Sequence, residues 1–398
     1  MILNRANRLF ILAALVMALL VAGTPLLAVA AAQATVEQTT AQWSDRLENT
    51  MTEARIPGVA WAVVHQGEIV DLSGRGFIDS SRSARINPDT VFRIASVSKG
   101  FAGVLAAMLA VEGQINLQDP IQRYAPSFRF NSPAADHLTI EDVLGQRSGL
   151  VPNAYDNLIE SGMPRQQIYG HFEALAPVCP PGTCYSYQNS VFSLVEDVVE
   201  RSTSVPYPQL LQQRIFDPLQ MVNASVGYEA LNSAGNRAEP HVKTRSGWRE
   251  IRPRSSYYQV SSAAGINASI RDMAIWANAM LGHFPEVISP EAIQTSLRPA
   301  VRTRNELRHR SWRGALTDAH YALGWRIYRI GNESLALHSG WVAGYRAEIA
   351  LSHAHDLGIV LLMNAESRAI SELNSAFWSA TLPRLAPAAI ETAKMTSE

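Results

Sequence analysis

Ser96 and Lys99 stand three positions apart at the start of an apolar stretch whose helical pattern continues to Gly113. A helix repeats every 3.6 residues, so residues three apart share one face, and the lysine amine comes within reach of the serine hydroxyl. The free N–H groups of the first helical turn favour negative charge that develops near that serine. Burial lowers the pKa of a lysine, which then accepts a proton at moderate pH. The spacing predicts a nucleophilic serine with a lysine base.

Residues 96–99 also fit an ordinary helix with a surface lysine. The chain holds three lysines, Lys99, Lys243 and Lys394, and only the first follows a serine at this spacing. Chance alone gives such a pair in roughly a fifth of chains of this composition. The serine and lysine therefore need support from elsewhere in the sequence.

A second pair of polar residues, Tyr187 and Asn189, follows a predicted turn at Pro181 and Gly182. A phenol whose pKa is lowered by a neighbouring cation accepts the serine proton and returns it to a leaving group. An asparagine amide can orient Lys99 or a substrate carbonyl. Tyrosine and asparagine two apart are common in any chain, so this pair gains weight only in combination.

The third stretch with possible chemistry is His338, Ser339, Gly340 and Trp341, at the end of a predicted strand. An edge strand there would pair with an extended substrate, and the N–H of Trp341 would complete an oxyanion hole with the N–H of Ser96. His338 and Ser339 are expected to face the pocket. Taken alone, the stretch also fits a strand end followed by a glycine turn.

The composition limits the classes of protein to which the chain can belong. With 398 residues, of which 47% are hydrophobic and 17% charged, it can bury a large core in two domains or one composite domain. The net charge is -1 and the basic residues, almost all arginine, are scattered, which argues against nucleic acid or an anionic membrane as a partner. A small-molecule or short-peptide substrate fits better. The oligomeric state is not predicted.

The N-terminus has the pattern of a secretory signal. Arg5 and Arg8 precede the apolar run Leu9–Ala22, and Ala32-Gln33-Ala34 supplies small residues that suit cleavage. We therefore expect a signal peptide over residues 1–34 and a periplasmic or secreted protein. The apolar stretch continues towards the cleavage site, so an uncleaved membrane anchor is the alternative.

The only two cysteines, Cys179 and Cys184, are close in sequence. With export predicted, a disulfide is favoured over a metal pair, which would lack further ligands nearby, and two free thiols are the alternative. The run His353-Ala354-His355-Asp356 is predicted to be a polar hairpin turn, because a metal motif of this kind would need further Asp and His where Leu357 and Gly358 stand. Neither a metal nor another cofactor is predicted.

Strand patterns at both ends of the chain and helical patterns between them predict the architecture. Residues of about 40–118 and 320–398 are expected to form one antiparallel sheet, covered by the first and last helices. The region of about 119–319 would be an inserted helical domain, with the Ser96 helix start in the cleft between the two. The fold class is thus α+β. The expected elements are a hairpin of Val59–Val64 and Glu68–Leu72, a second hairpin turning at Gly331-Asn332, strands over Tyr345–Leu351 and Leu357–Met363, and helices over Thr40–Ala54, from Thr139 to a stop at Gly149, over Ser269–Leu281 and over Ser371–Leu382.

In combination, the S-x-x-K, Y-x-N and His-Ser-Gly stretches resemble, in order and spacing, the serine β-lactamase and penicillin-binding protein superfamily. More closely, residues 38–398 resemble the class C β-lactamase-like serine hydrolases. That group includes β-lactamases, D-Ala-D-Ala carboxypeptidases, D-aminopeptidases and esterases. Further matching segments are Phe92–Ser96, Leu144–Leu150, Pro181–Thr183, Ile215–Leu219, Ala263–Gly265 and Gly324-Trp325.

The resemblance implies that Ser96 forms an acyl-enzyme, that Lys99 and Tyr187 together move its proton, and that Asn189 orients the substrate. Where penicillin-recognising members carry K-T-G, this chain has a histidine at position 338, only partly charged near neutrality. The sequence therefore predicts an esterase or a D-amino-acid peptidase or carboxypeptidase. The alternatives are a class C-like β-lactamase and a catalytically weak penicillin-binding or scaffold protein of the same fold.

Overall fold

The computed structural model of the protein describes residues 31–385, so the predicted signal segment lies outside the described residues except for positions 31–34. The strands are β1 (Gly58–His65), β2 (Glu68–Gly76), β3 (Val91–Arg93), β4 (Ser225–Val226), β5 (His241–Thr244), β6 (Gly247–Glu250), β7 (Ile266–Ser269), β8 (Val301–Arg302), β9 (Asp318–Tyr321), β10 (Arg326–Ile330), β11 (Glu333–Val342), β12 (Tyr345–Ser352) and β13 (Leu357–Met363). The helices are α1 (31–54), α2 (Ser98–Val111), α3 (Ile140–Leu144), α4 (Asp156–Glu160), α5 (Arg165–His171), α6 (Leu194–Thr203), α7 (Tyr207–Leu211), α8 (Tyr228–Ser233), α9 (Ser261–Ala264), α10 (Ile270–Met280), α11 (Pro290–Leu297) and α12 (Ala369–Thr381).

One antiparallel sheet of eight strands joins the two ends of the chain, in the order β2-β1-β13-β12-β11-β10-β9-β8. The first hairpin turns at Gln66 and Gly67, which both have positive φ, 52° and 80°. Two positive φ angles match the right-handed twist of the flanking strands. The predicted antiparallel sheet between terminal helices is confirmed, and so is the α+β class.

The two faces of the sheet are covered by different parts of the chain. On one face α1 and α12 pack together, with the rings of Trp43 and Phe377 5.7 Å apart. The other face carries the larger core, where Phe101 of α2 stacks on Trp276 of α10 at 3.9 Å. The nucleophile helix is therefore buried between the sheet and the middle region. Within the described chain, no helix is long and apolar enough to cross a membrane.

Glycines allow α2 to lie directly against the segment that leads into β10. A Cβ atom at Gly103 would overlap the carbonyl oxygen of Leu323, and one at Gly100 would lie 2.8 Å from the ring of Trp325. Gly324 has a φ of +75°, and a Cβ there would overlap the carbonyl oxygen of Lys99. Backbone thus packs on backbone here, which fixes the height of the nucleophile helix above the sheet.

Several predicted boundaries differ from the structure. The first helix already includes residue 31 rather than beginning at Thr40, and Val36 is fully buried under the sheet. Thr139 caps α3 as predicted, but the helix ends at Leu144 and not at Gly149, because Gly145 takes over as its C-terminal cap. Short strands also arise in the region predicted to be helical or at its end: β7 pairs with β3 and β4, whereas β8 and β9 extend the edge of the main sheet.

Replacing Gly103 with alanine is expected to lower the free energy of unfolding by about 1–3 kcal/mol, because the methyl group must push α2 away from Leu323. Gly170→Ala is the matched control. Gly170 lies within α5 with open space around it, so alanine there should raise stability by about 0.5–1 kcal/mol. Chemical denaturation measures both values, and equal stabilities of the two variants would contradict the close approach.

Candidate active site

Ser96 lies in a 3-10 turn, Ala95–Val97, immediately before α2. The residue before it, Ala95, is buried and has a φ of 50°, a left-handed conformation that non-glycine residues rarely adopt. The turn follows β3, which pairs with β7 and so ties the turn to the middle region. This strained turn leaves the Ser96 side chain partly exposed while its neighbours are buried.

Lys99 is fully buried, and its amine nitrogen has three oxygen neighbours. Nζ lies 2.7 Å from Oδ1 of Asn189, 3.0 Å from the carbonyl oxygen of Ala263 and 3.3 Å from Oγ of Ser96. Burial lowers the pKa of Lys99 well below its usual value, and the charge of Asp156 opposes that effect only in part. The amine is therefore suited to accept a proton.

The neighbours of Lys99 also determine where its lone pair points, and so from which group it accepts a proton. A neutral amine has two N–H donors and one lone pair, whereas the oxygens of Asn189 and Ala263 can only accept. The two N–H groups therefore point to these two oxygens. The lone pair is left for the hydroxyl of Ser96, which is the geometry of a general base.

The carbonyl of Ala263 is held in place by a buried ion pair. Its neighbour Ser262 donates both its backbone N–H and its hydroxyl to Oε1 of Glu196, at 2.8 and 2.9 Å. Glu196 in turn pairs with Arg165 at 2.5 Å. The short helix α9 is thereby anchored to α6, so the acceptor for Lys99 cannot move freely.

Behind Asn189 lies Asp156, a residue that the sequence analysis missed. Nδ2 of Asn189 donates to Oδ2 of Asp156 at 2.8 Å, and the hydroxyl of Tyr257 lies 3.5 Å from the same oxygen. Burial raises the pKa of Asp156 to about 6, although its bond with Asn189 and the charge of Lys99 oppose the shift. No local motif marks Asp156, because its contacts come from distant segments.

Tyr187 lies beside both Ser96 and Lys99, but its acidity differs from the prediction. The Lys99 amine is 4.7 Å from the centre of its ring. Burial raises the pKa of Tyr187, and its hydrogen bond with Ser96 and the charge of Arg326 oppose this only in part. The expectation of a lowered phenol pKa is therefore wrong. A neutral phenol cannot be the resting base, so the arrangement favours Lys99 in that role and Tyr187 as a proton donor.

The end of β11 provides a free strand edge beside Ser96. β10 pairs with β11 only as far as Leu337, so residues 338–342 have no partner strand on that side within the described part of the chain. A Cβ atom at Gly340 would overlap the carbonyl oxygen of Ile94 and lie 3.1 Å from the backbone nitrogen of Ser96. Only glycine allows the strand to pass so close to the nucleophile turn. Trp341, the next residue, is 60% exposed and lies against Arg346.

His338 is buried on the side of Ser96, and its two ring nitrogens are occupied. Nδ1 lies 2.9 Å from the carbonyl oxygen of Ser339, and Nε2 lies 3.0 Å from the hydroxyl of Tyr321. Burial lowers the pKa of His338 well below its usual value, so the ring is neutral near pH 7. Ser339 is half-buried and lies opposite Glu348 of β12 in the sheet register. That the side chain of Ser339 faces the pocket stays a prediction.

A second cation near Tyr187 is Arg326, the first residue of β10, which the sequence analysis did not single out. Its guanidinium carbon lies 5.9 Å from the ring centre of Tyr187 and 5.7 Å from that of Tyr321. Arg326 also forms an ion pair with Glu306. The Gly324-Trp325 pair directly before Arg326 is one of the segments that resemble the family and could have drawn attention to this position. It does not indicate that the arginine side chain lies near Tyr187.

Cys179 and Cys184 form a disulfide in the loop that leads to Tyr187. Inside the disulfide loop, the N–H of Gly182 donates to the carbonyl of Arg147 at 2.7 Å. The loop is therefore attached to the segment that follows α3. This attachment restricts the part of the chain that carries Tyr187.

The run from His353 to Asp356 forms the turn between β12 and β13, away from the acylation residues. Nε2 of His353 lies 2.8 Å from the carbonyl oxygen of Met280, and the Asp356 carboxylate lies 2.8 Å from His283. Across residues 31–385, no three His, Cys, Asp or Glu side chains cluster closely enough to hold a metal ion.

Replacing Gly340 with alanine should lower the rate of Ser96 acylation by about 100-fold or more, because the methyl group displaces the strand or the nucleophile turn. Gly235→Ala is the control, since Gly235 has open space where a Cβ would lie. Reaction with an active-site phosphonate measures acylation directly. A rate for Gly340→Ala within twofold of the control would show that the close approach is not needed.

Several known proteins are similar to this chain over about four fifths of its length. A hydrolase named unguisins hydrolase ungD from Aspergillus violaceofuscus is 27% identical, with 78% of this chain and 59% of that protein covered. Protein flp from Staphylococcus aureus strain MW2 is 24% identical, covering 82% and 63%. A beta-lactamase from Escherichia coli strain K12 is 24% identical, covering 81% and 89%. The chain thus spans about three fifths of the first two relatives.

The fold has a counterpart among solved structures. The octameric penicillin-binding protein homologue from Pyrococcus abyssi superposes with a TM-score of 0.74 at 20% identity, covering 86% of this chain and 77% of that one. The sequence profile described as Beta-lactamase matches residues 43–375, which include Ser96, Lys99 and Tyr187. Together with the Ser96 and Lys99 geometry, this match shows that the chain belongs to the beta-lactamase family of the serine beta-lactamase and transpeptidase superfamily.

Proposed function

We propose that this protein is a serine hydrolase that forms an acyl-enzyme at Ser96 on an ester or amide substrate, as an esterase or a D-amino-acid peptidase or carboxypeptidase. The observation that carries the proposal is the buried amine of Lys99, whose two fixed acceptors leave its lone pair for the Ser96 hydroxyl. A structural lysine would not need this arrangement. Membership of the beta-lactamase family also supports a reaction that proceeds through an acyl-enzyme.

In the proposed reaction, Lys99 takes the proton from the Ser96 hydroxyl as the oxygen attacks the substrate carbonyl. The backbone N–H groups of Ser96 and Trp341 would hold the developing oxyanion, one on each side of the close contact at Gly340. The proton then passes from Lys99, through the neutral hydroxyl of Tyr187, to the leaving group. Water then attacks the carbonyl of the acyl-enzyme and its proton returns to the Ser96 oxygen through the same groups. The acyl group leaves as a carboxylic acid and Ser96 is free again.

The charges near the site favour the esters and D-amino-acid amides among the proposed substrates, which carry no carboxylate next to the scissile bond, over carboxypeptidase substrates and penicillins, which do. His338 is neutral and fully hydrogen-bonded, and the guanidinium of Arg326 is shared with Glu306. Neither group offers a free positive charge of the kind that holds a penicillin carboxylate in relatives with lysine at this place. A class C-like β-lactamase remains the second candidate, supported by the beta-lactamase relative. A catalytically weak penicillin-binding protein is the third.

We also propose that the protein is exported and that its substrate is met outside the cytoplasm, with a cleaved or anchored N-terminus. The basic and apolar pattern of the first residues supports export. The Cys179–Cys184 disulfide is in keeping with an oxidising compartment.

A fluorescent phosphonate should label the wild-type protein and not Ser96→Ala, because the probe reacts with an activated serine. Lys99→Ala should react about 100- to 10,000-fold more slowly, as expected when a proton-transfer group is lost. Lys243→Ala, which removes an exposed lysine of β5 that lies over the ring of Trp248, is the control and should react at the wild-type rate. Equal labelling of Ser96→Ala and wild type would remove Ser96 as the nucleophile.

A substrate panel should separate the candidate activities. Short-chain p-nitrophenyl esters and D-amino-acid amides are expected to turn over, whereas benzylpenicillin should turn over poorly because His338 is neutral and Arg326 is paired with Glu306. Turnover with each substrate measures kcat/KM, and a D-Ala-D-Ala peptide belongs in the same panel. Efficient penicillin hydrolysis would overturn the argument from His338 and support the β-lactamase candidate.

A further inference from the structure

The carboxylate of Asp156 lies directly behind Asn189, on the side away from Lys99. It begins α4, after Tyr155 with a left-handed φ of 62°. Nδ2 of Asn189 donates to Oδ2 of Asp156 at 2.8 Å, while Oδ1 of Asn189 accepts from Lys99 at 2.7 Å. Oδ1 of Asp156 is buried and has no hydrogen-bond partner among residues 31–385. The hydrogen bond between Asp156 and Asn189 therefore matters for the direction of the Asn189 amide.

An asparagine amide has one accepting end and one donating end of almost the same shape, so it can sit in a site in two directions. A carboxylate only accepts, so Asp156 binds the donating end of Asn189. The accepting end must then face Lys99. Without an acceptor at position 156, the amide can turn, and its N–H group would then attract the lone pair of Lys99 away from Ser96.

The charged and titratable groups around Asp156 come from four elements. They are Lys99 of α2, Glu160 of the same helix α4, Tyr257 of the turn before α9, and Tyr187 of the segment that carries Asn189. Asn189 itself separates the carboxylate from the lysine. With a pKa of about 6, Asp156 is ionised near neutral pH. Its negative charge raises the pKa of Lys99, against the larger lowering by burial.

We propose that Asp156 is a positioning residue for acylation, which fixes the amide of Asn189 and thereby directs the lone pair of Lys99 to Ser96. The role rests on the proposed acyl-enzyme function. Asp156 acts through Asn189 and touches neither Ser96 nor the reacting atoms. Two effects of removing it follow: the amide loses its fixed direction, and Lys99 loses a charge that favours its protonated form.

The test is the rate of phosphonate reaction at Ser96, measured from about pH 5 to about pH 9 for wild type, Asp156→Leu and Asp156→Asn. Asp156→Leu removes the acceptor and should lower the plateau rate by about tenfold or more. Asp156→Asn keeps an oxygen that can accept and should lose less. In both variants the acidic limb should move to lower pH, because the pKa of Lys99 falls when the neighbouring negative charge is removed.

Glu160→Gln is the matched control, since it removes a negative charge from the same helix without contacting Asn189, and its plateau should stay within about twofold of wild type. Thermal unfolding of every variant shows that the fold is retained. A wild-type plateau in Asp156→Leu would overturn the proposal, as would a lower plateau with an unmoved acidic limb, which indicates a merely structural role. Failure of the wild type itself to react at Ser96 would instead overturn the proposed function, and the role of Asp156 with it.

Discussion

The burial of the Lys99 amine is the constraint on which the rest of the site depends. A charged ammonium without a carboxylate in contact is costly to bury, and within residues 31–385 the hydrogen-bond partners of the Lys99 amine are all uncharged oxygens. Burial therefore favours the deprotonated amine, which can act as a base. Every group around it then has to satisfy a neutral amine, and the carbonyl of Ala263 and the amide of Asn189 do so with acceptors alone. Burial and hydrogen-bonding chemistry together give the lysine both its basicity and its direction.

Close backbone contacts bring the parts of the site together. α2 rests on the segment before β10 through Gly103 and Gly324, and β11 passes the nucleophile turn at Gly340. These contacts join the sheet, which is formed from both ends of the chain, to the helical region between them. The Ser96 turn is therefore held from two sides. This explains why a residue as strained as Ala95 can persist at this point, since its surroundings leave it no other position.

The parts of the site that could be predicted from the sequence are those set by local spacing. Ser96 and Lys99 share one helical turn, and the hairpins have their own turn residues, such as Gln66 and Gly67. The remaining contacts join segments far apart in sequence, and nothing in the neighbourhood of Asp156 or Arg326 shows where their side chains lie. The pKa of Tyr187 was mispredicted for a related reason: a nearby cation is visible in the sequence pattern, but the depth of burial that outweighs it is not.

The length of the free edge of β11 limits the length of a segment that can pair with it. It extends over residues 338–342, because β10 occupies the edge before them. A strand rises by about 3.3 Å per residue, so the open edge measures about 17 Å and accepts a segment of about five residues in extended form. A folded protein rarely offers such a segment without first unfolding locally. An occupant that pairs with this edge through backbone hydrogen bonds would therefore be a short segment in extended form.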